Sequence, residues 1–379
     1  MLLTAGCFLA FFIFGFTDNL KGPTLPAMMA ELNINYGLSG NIFFGEYLGF
    51  LCATLITGIL ADRFGLKLVI LFAGGCLALG VGGYSSFQSA TYLAGSLFVI
   101  GLGLGAFELG PNAIIISLYH ERKGLFLNLM AVLHGLGSML APLFAGWLFT
   151  SSFSWRVVYR WDLLLIALFI FLSVFLRFPK SQEKNQLDFK KIPQIAFKGQ
   201  MPWFHAAIAL YVSVEIGMAS WLVTFLQQVR SASVIISNRS LSIFFAMIML
   251  GRLLGGFVVQ RAGYLRSILF ASLGALICIA TGLFIPGTAL FFLPFTGFFL
   301  SIIFPTITAA VSDSKTENIN TLLGVLFTFA GVGGVFGPWL IGWGSDLFGL
   351  QAGFAINLLL AGLTFITVFI LMKGASVKA

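Results

Sequence analysis

Gly58-Ile59-Leu60-Ala61-Asp62-Arg63-Phe64-Gly65-Leu66-Lys67 is a short charged stretch set between two apolar runs, residues 38 to 60 and 68 to 87. Each run has about the 20 residues that an α-helix needs to cross the hydrocarbon core of a bilayer. A charged turn between two such runs marks a chain that crosses, turns and crosses back. The alternation continues outward in both directions, and breaks at Gly, Pro and charge clusters give twelve spans: 4 to 27, 38 to 60, 68 to 87, 90 to 118, 125 to 149, 158 to 178, 202 to 229, 236 to 259, 266 to 285, 288 to 312, 319 to 344 and 351 to 372. Composition agrees, with 59% of the 379 residues hydrophobic and 9% charged, at a mean hydropathy of +1.01. A soluble domain carries far more polar surface. The first run, Leu2 to Phe16, has no basic segment before it and no small-residue cleavage site after it, so it is expected to remain as span 1 rather than leave as a signal peptide.

The basic residues sort by side. Only Arg156, Arg160, Arg230 and Arg239 fall beside the odd-numbered connections, whereas Arg63, Lys67, Arg122, Lys123 and most others fall on the opposite side. Loop Lys and Arg are retained in the cytoplasm, so both termini are expected there, with the chain in a plasma (inner) membrane. The net charge of +8 is dispersed over short loops, which argues for orientation in lipid and against a nucleic-acid partner. The longest polar linker predicts three parts: residues 1–178 as an N-terminal six-helix bundle, 179–200 as a basic cytoplasmic linker, and 201–379 as a C-terminal six-helix bundle. The halves repeat. Gly135, Gly137, Pro142 and Gly146 recur as Gly331, Gly333, Pro338 and Gly342, each 196 positions on. Gly58, Asp62, Arg63 and Gly65 recur as Gly256, Gln260, Arg261 and Gly263, each 198 on. The fold class expected is therefore an all-α membrane protein, with twelve transmembrane helices in two pseudo-symmetric bundles. Cys7, Cys52, Cys76 and Cys278 stand singly in apolar spans and read as small hydrophobes, not metal or redox ligands.

The Gly58 to Lys67 stretch resembles the G-x-x-x-D-R-x-G-x-K signature of the major facilitator superfamily, and its position between spans 2 and 3 is the one that resemblance requires. The likeness extends over essentially the whole chain. It implies alternating access between two bundles, with Gly58, Asp62, Arg63, Gly65 and Lys67 as a conformational latch outside the substrate site. Physically, Gly58 would let two helices approach, and Asp62 could pair with a base or cap the next helix.

Ionisable residues inside a span cost roughly 2.5–3.5 kcal/mol on insertion scales, so each is a functional candidate. Asp18, Glu108, His134 and Glu215 fall near the middle third of spans 1, 4, 5 and 7. Glu108 and Asn112 are one turn apart and share a face. Glu46 reads as a solvated gate toward the outer mouth of span 2. Thr17-Asp18-Asn19-Leu20, Phe107-Glu108-Leu109-Gly110-Pro111-Asn112, Leu127-Asn128-Leu129, Tyr211 to Leu222 and Phe304-Pro305-Thr306 resemble the proton-linked fucose and glucose symporters and their sodium-glucose-type relatives. That resemblance implies proton coupling through Glu108, Asp18 and Glu215, with H+, alternatively Na+, as the coupling ion. Pro305 should free backbone carbonyls toward a polar cavity.

An anionic cargo needs cavity Arg or Lys, and apart from Lys21 and Arg252 the spans offer only arginines within three residues of a span end, Arg160, Arg177, Arg239 and Arg266. A neutral sugar such as glucose or fucose fits better. Asn19, Asn41, Asn112, His134, Gln227 and Gln228 could bond its hydroxyls, and Tyr211 or Trp221 could stack on its face. The alternative is a proton-coupled antiporter exporting a hydrophobic or cationic compound, since Ala141-Pro142 with Gly146 and Gly337-Pro338 with Gly342 partly resemble the Gly-Pro motif of drug exporters. An enzyme is not expected: His120, His134 and His205 lie apart, no metal-ligand spacing occurs, and no Ser or Cys has an evident base. No cofactor or metal is anticipated, and a monomer surrounded by lipid is.

Overall fold

The computed structural model describes residues 2–119, 121–176, 178, 197–313 and 319–376. The described residues form fourteen helices: α1 (Leu2–Asp18), α2 (Lys21–Leu32), α3 (Tyr36–Phe64), α4 (Leu66–Tyr84), α5 (Ala90–Leu118), α6 (Lys123–Thr150), α7 (Trp155–Phe175), α8 (Met201–Gln228), α9 (Val234–Ala262), α10 (Tyr264–Phe284), α11 (Ala289–Leu300), α12 (Ile303–Ser312), α13 (Ile319–Phe348) and α14 (Leu350–Ser376). They make twelve spans long and apolar enough to cross a membrane, because α1 with α2, and α11 with α12, are each one span broken in the middle. Large side chains such as Phe257, Phe270 and Phe291 are exposed, as lipid-facing residues must be.

Both breaks have the same cause. Proline lacks the N–H that would bond the carbonyl four residues earlier, and its ring crowds that carbonyl. Span 1 breaks at Asn19-Leu20, four residues before Pro23, and span 10 at Ser301-Ile302, four before Pro305. The expectation that Pro305 frees backbone is met there as a break. Pro111, Pro142 and Pro338 are absorbed within continuous helices.

The chain divides into two compact units, Met1–Lys184 with Ala232–Ser242, and Asn185–Ser231 with Ile243–Ala379. The first turns of α9 group with the first unit. There the side chain of Asn238 lies where a Cβ on Gly146 would meet it at 3.1 Å. Lys180, Lys184, Lys190 and Lys191 of the expected linker, and His120, lie outside the described residues.

Within each unit, glycines set how closely helices approach, since lipid offers no hydrophobic drive between them. A Cβ on Gly137 of α6 would collide with the Phe12 carbonyl of α1, and one on Gly101 of α5 with the Glu46 carbonyl of α3. In the second unit a Cβ on Gly333 of α13 would collide with the Ala209 carbonyl of α8, and one on Gly297 of α11 with the Phe244 carbonyl of α9. The sequence repeat is thus a packing repeat. It carries Phe12 onto Ala209 at an offset of 197, and the same offset carries Asp18 onto Glu215.

Candidate functional site

The break in span 1 is the most polar buried place in the first unit. Helix α1 ends at Asp18 and α2 begins at Lys21, so the interrupted turn turns both charges toward α3. Lys21 Nζ donates to Asp18 Oδ1 at 2.5 Å, to Glu46 Oε1 at 2.9 Å and to the Tyr47 hydroxyl at 2.9 Å. An ammonium has three donors, and all three are used. The side chains of Lys21, Glu46 and Asp18 are 4%, 2% and 14% exposed. Glu46 was read from sequence as a solvated gate. It is instead buried and ion-paired, because α5 presses against its carbonyl at Gly101.

The two carboxyls meet on one ammonium, Asp18 through Oδ1 and Glu46 through Oε1. Glu46 Oε2, on the far side of its carboxyl, has no hydrogen-bond partner. Two anions and one cation leave one net negative charge in a buried group.

Neighbouring helices hold the break. Asn19 Nδ2 donates to the Gly15 carbonyl at 2.9 Å and to Ser138 Oγ of α6 at 3.0 Å. The His134 ring stands edge-on to Phe14, centroids 4.7 Å apart. Thr24 shares a hydrogen bond with Tyr159 of α7 at 3.2 Å, Tyr84 of α4 donates to Met28 Sδ, and Thr17 donates to Asp162 Oδ1 of α7 at 3.1 Å.

Other expected residues lie elsewhere. Glu108 is half-buried on α5, seven residues beyond Gly101 or about 10 Å along the axis, and Asn112 Nδ2 donates to its own-helix Glu108 carbonyl at 2.6 Å. Glu215 in the second unit accepts a hydrogen bond from the Tyr211 hydroxyl. Trp221 is wholly buried and donates its indole N–H to the Pro338 carbonyl at 3.0 Å, so its ring is a packing element and not an open stacking platform. Asn19 clamps backbone rather than facing open space, Asn41 and Gln228 are exposed, and Gln227 is half-buried.

In the stretch from Gly58 to Lys67 a glycine makes the turn between two helices. Gly65 joins α3 to α4 at φ 82°, a left-handed conformation that favours glycine, and Gly263 does the same between α9 and α10 at φ 80°. Lys67 Nζ donates to the Val174 carbonyl at 2.9 Å. Gly58, however, has open space where a Cβ would stand, so it does not mediate a close approach, and among the described residues Asp62 and Arg63 are exposed without an ion pair.

The sequence reading does not pair Lys21 with Glu46 and does not single out Asp162, both of which the structure shows buried and hydrogen-bonded. The signal was present: each is an ionisable residue inside an apolar span. Depth and the resemblance to proton-linked symporters point to Asp18 and Glu108, and neither says which side chain lies opposite.

Comparison with known proteins agrees with this architecture. A Helicobacter pylori protein provisionally named a glucose/galactose transporter is 25% identical over 362 residues, covering 89% of this chain and 87% of that one. The glucose/mannose transporter GlcP of Bacillus subtilis is 24% identical over 392 residues, covering 97% and 92%. Among solved structures, a mutant of the nucleoside transporter NupG superposes with a TM-score of 0.82 at 17% identity, covering 99% of this chain and 100% of that one. A D-xylose–proton symporter superposes at 0.74 and 15% identity, covering 97% and 96%. The Escherichia coli fucose:proton symporter FucP superposes at 0.66 and 20%, covering 97% and 98%. The description Major Facilitator Superfamily matches residues 7–319, and this chain, an integral multi-pass membrane protein, belongs to that family of transporters.

Proposed function

We propose that this transporter is a symporter that carries a neutral sugar with a proton, and that Asp18 and Glu46 hold the proton. The observation that carries the reading is the buried cluster. Ionised throughout, it has one uncompensated negative charge and an oxygen, Glu46 Oε2, with no donor. One proton cancels the charge and supplies the donor. A buried charge without compensation is costly inside a membrane, so the cluster takes up a proton when closed and releases it when opened to water on the other side. That is the linkage a symporter needs.

The sugar rests on different support. Relatives along nearly the whole chain are named for glucose, galactose and mannose. Among the described residues Lys21 is the only buried Lys or Arg, and two carboxylates already occupy it. An anionic cargo would find no spare buried cation. We read the chain as a monomer in the inner membrane with both termini in the cytoplasm, performing no covalent chemistry on its cargo.

Purified protein in liposomes, loaded with a panel of labelled hexoses, a pentose and a nucleoside, tests this reading. An inward pH gradient should drive accumulation of a hexose and not of the nucleoside. Efflux of a cationic dye on the same gradient, without hexose uptake, would establish the exporter instead.

A further inference from the structure

We propose that the Lys21 ammonium is a tethered substitute for a coupling sodium ion, and that this one side chain keeps sodium out of the site. The inference rests on the ion-coupled reading above and adds which cation the chain admits. Three oxygens converge on Nζ from two elements, at 2.5, 2.9 and 2.9 Å: Asp18 Oδ1, Glu46 Oε1 and the Tyr47 hydroxyl. Carboxylate and hydroxyl oxygens are the ligands hard cations prefer. A fourth oxygen, Glu46 Oε2, has no partner on a side chain only 2% exposed. The cage stands at the C-terminal end of α1, the negative end of its dipole, beside the Asn19 carbonyl that Pro23 cannot satisfy. Broken spans hold alkali cations with that set of parts.

Here the cage is already full. The Lys21 stem enters from α2 and its charge also lies 4.6 Å from the Tyr47 ring centroid. A sodium ion would have to displace a covalently held cation whose local concentration cannot be diluted. A proton needs no such space, because it adds to a carboxyl oxygen. Of the other titratable groups around the cluster, His134 of α6, Tyr84 of α4 and Tyr159 of α7 are not carboxylates, and Asp162 of α7 is bonded to Thr17 and not to Lys21.

The test uses thermal unfolding of the full chain in detergent, at constant ionic strength, in sodium, potassium or choline chloride. Wild type should melt alike in all three salts. Lys21→Ala empties the cage and leaves two carboxylates facing each other, so it should melt lower in choline, with sodium raising its melting temperature by about 3 °C or more in a saturable way. Lys21→Met fills the same space without charge and should not respond. No sodium response in Lys21→Ala, or an equal response to potassium, overturns the proposal. On wild type in liposomes, an inward sodium gradient at equal pH should drive no hexose accumulation. Sodium-driven accumulation, or a sodium-specific shift in wild-type melting, also overturns it, whether or not the variants fold. Failure of wild type to accumulate hexose on a pH gradient overturns the proton-symport reading alone, because the melting shifts are read without cargo.

Discussion

Lys21 binds three oxygens with three donors, so any change at its partners leaves a buried charge exposed to a poor environment. Glu46→Ala removes one carboxylate and strands a donor, which should cost about 3–5 kcal/mol of stability, read as a lower unfolding temperature in detergent. Glu46→Gln keeps the shape and leaves Lys21 matched by Asp18 alone, so the cluster is neutral with no proton bound. Uphill accumulation on a pH gradient should vanish while exchange of labelled sugar across the membrane continues. A variant that still accumulates uphill would remove Glu46 from coupling. Trp221 belongs to the same scale but to a different task. Trp221→Phe loses the hydrogen bond to the Pro338 carbonyl, expected to cost about 1 kcal/mol, with sugar KM unchanged. A marked rise in KM would restore the stacking role that its sequence neighbours Gly217 and Ser220 had suggested.

Among the elements, glycine decides which helices touch. Gly101 sits where a Cβ would meet the Glu46 carbonyl, whereas Gly58 sits where a Cβ would meet nothing within 4 Å. Gly101→Ala should therefore force α5 from α3, lowering stability by about 1–3 kcal/mol as overpacking does, and should disturb coupling because it moves Glu46. Gly58→Ala should be neutral or stabilise by up to about 1 kcal/mol, the usual helix preference for Ala over Gly. Parallel melting curves of the two variants check the contrast. Equal destabilisation would mean that the signature glycine is a contact residue after all.

The whole molecule is a repeat that has diverged where charge is concerned. The packing offsets carry Asp18 onto Glu215, but they carry Lys21 onto Met218, Glu46 onto Phe244 and Glu108 onto Phe304. One repeat holds a charge cluster, and at the position equivalent to Asp18 the other holds Glu215 bonded to Tyr211. Ion coupling should therefore be asymmetric. Glu215→Gln is expected to raise sugar KM while leaving the steady-state accumulation ratio near wild type, in contrast to Glu46→Gln. Loss of the accumulation ratio in Glu215→Gln would make the second repeat part of the coupling site.

Sequence by itself determined the membrane class, the twelve spans and their repeat, because span length and small-residue spacing are local properties read along one helix. It also announced the break in span 10 through Pro305. Tertiary structure alone decided the site. Asp18 could be found by its depth, yet whether it faced Glu108, His134 or Lys21 depends on which helix lies opposite. That choice was made at Gly15 and Gly101, where backbones of distant segments touch. Glu46 was misplaced for the same reason. Its distance from the end of α3 describes height in the membrane, whereas its burial and its ion pair depend on the direction it faces and on the helix that covers it.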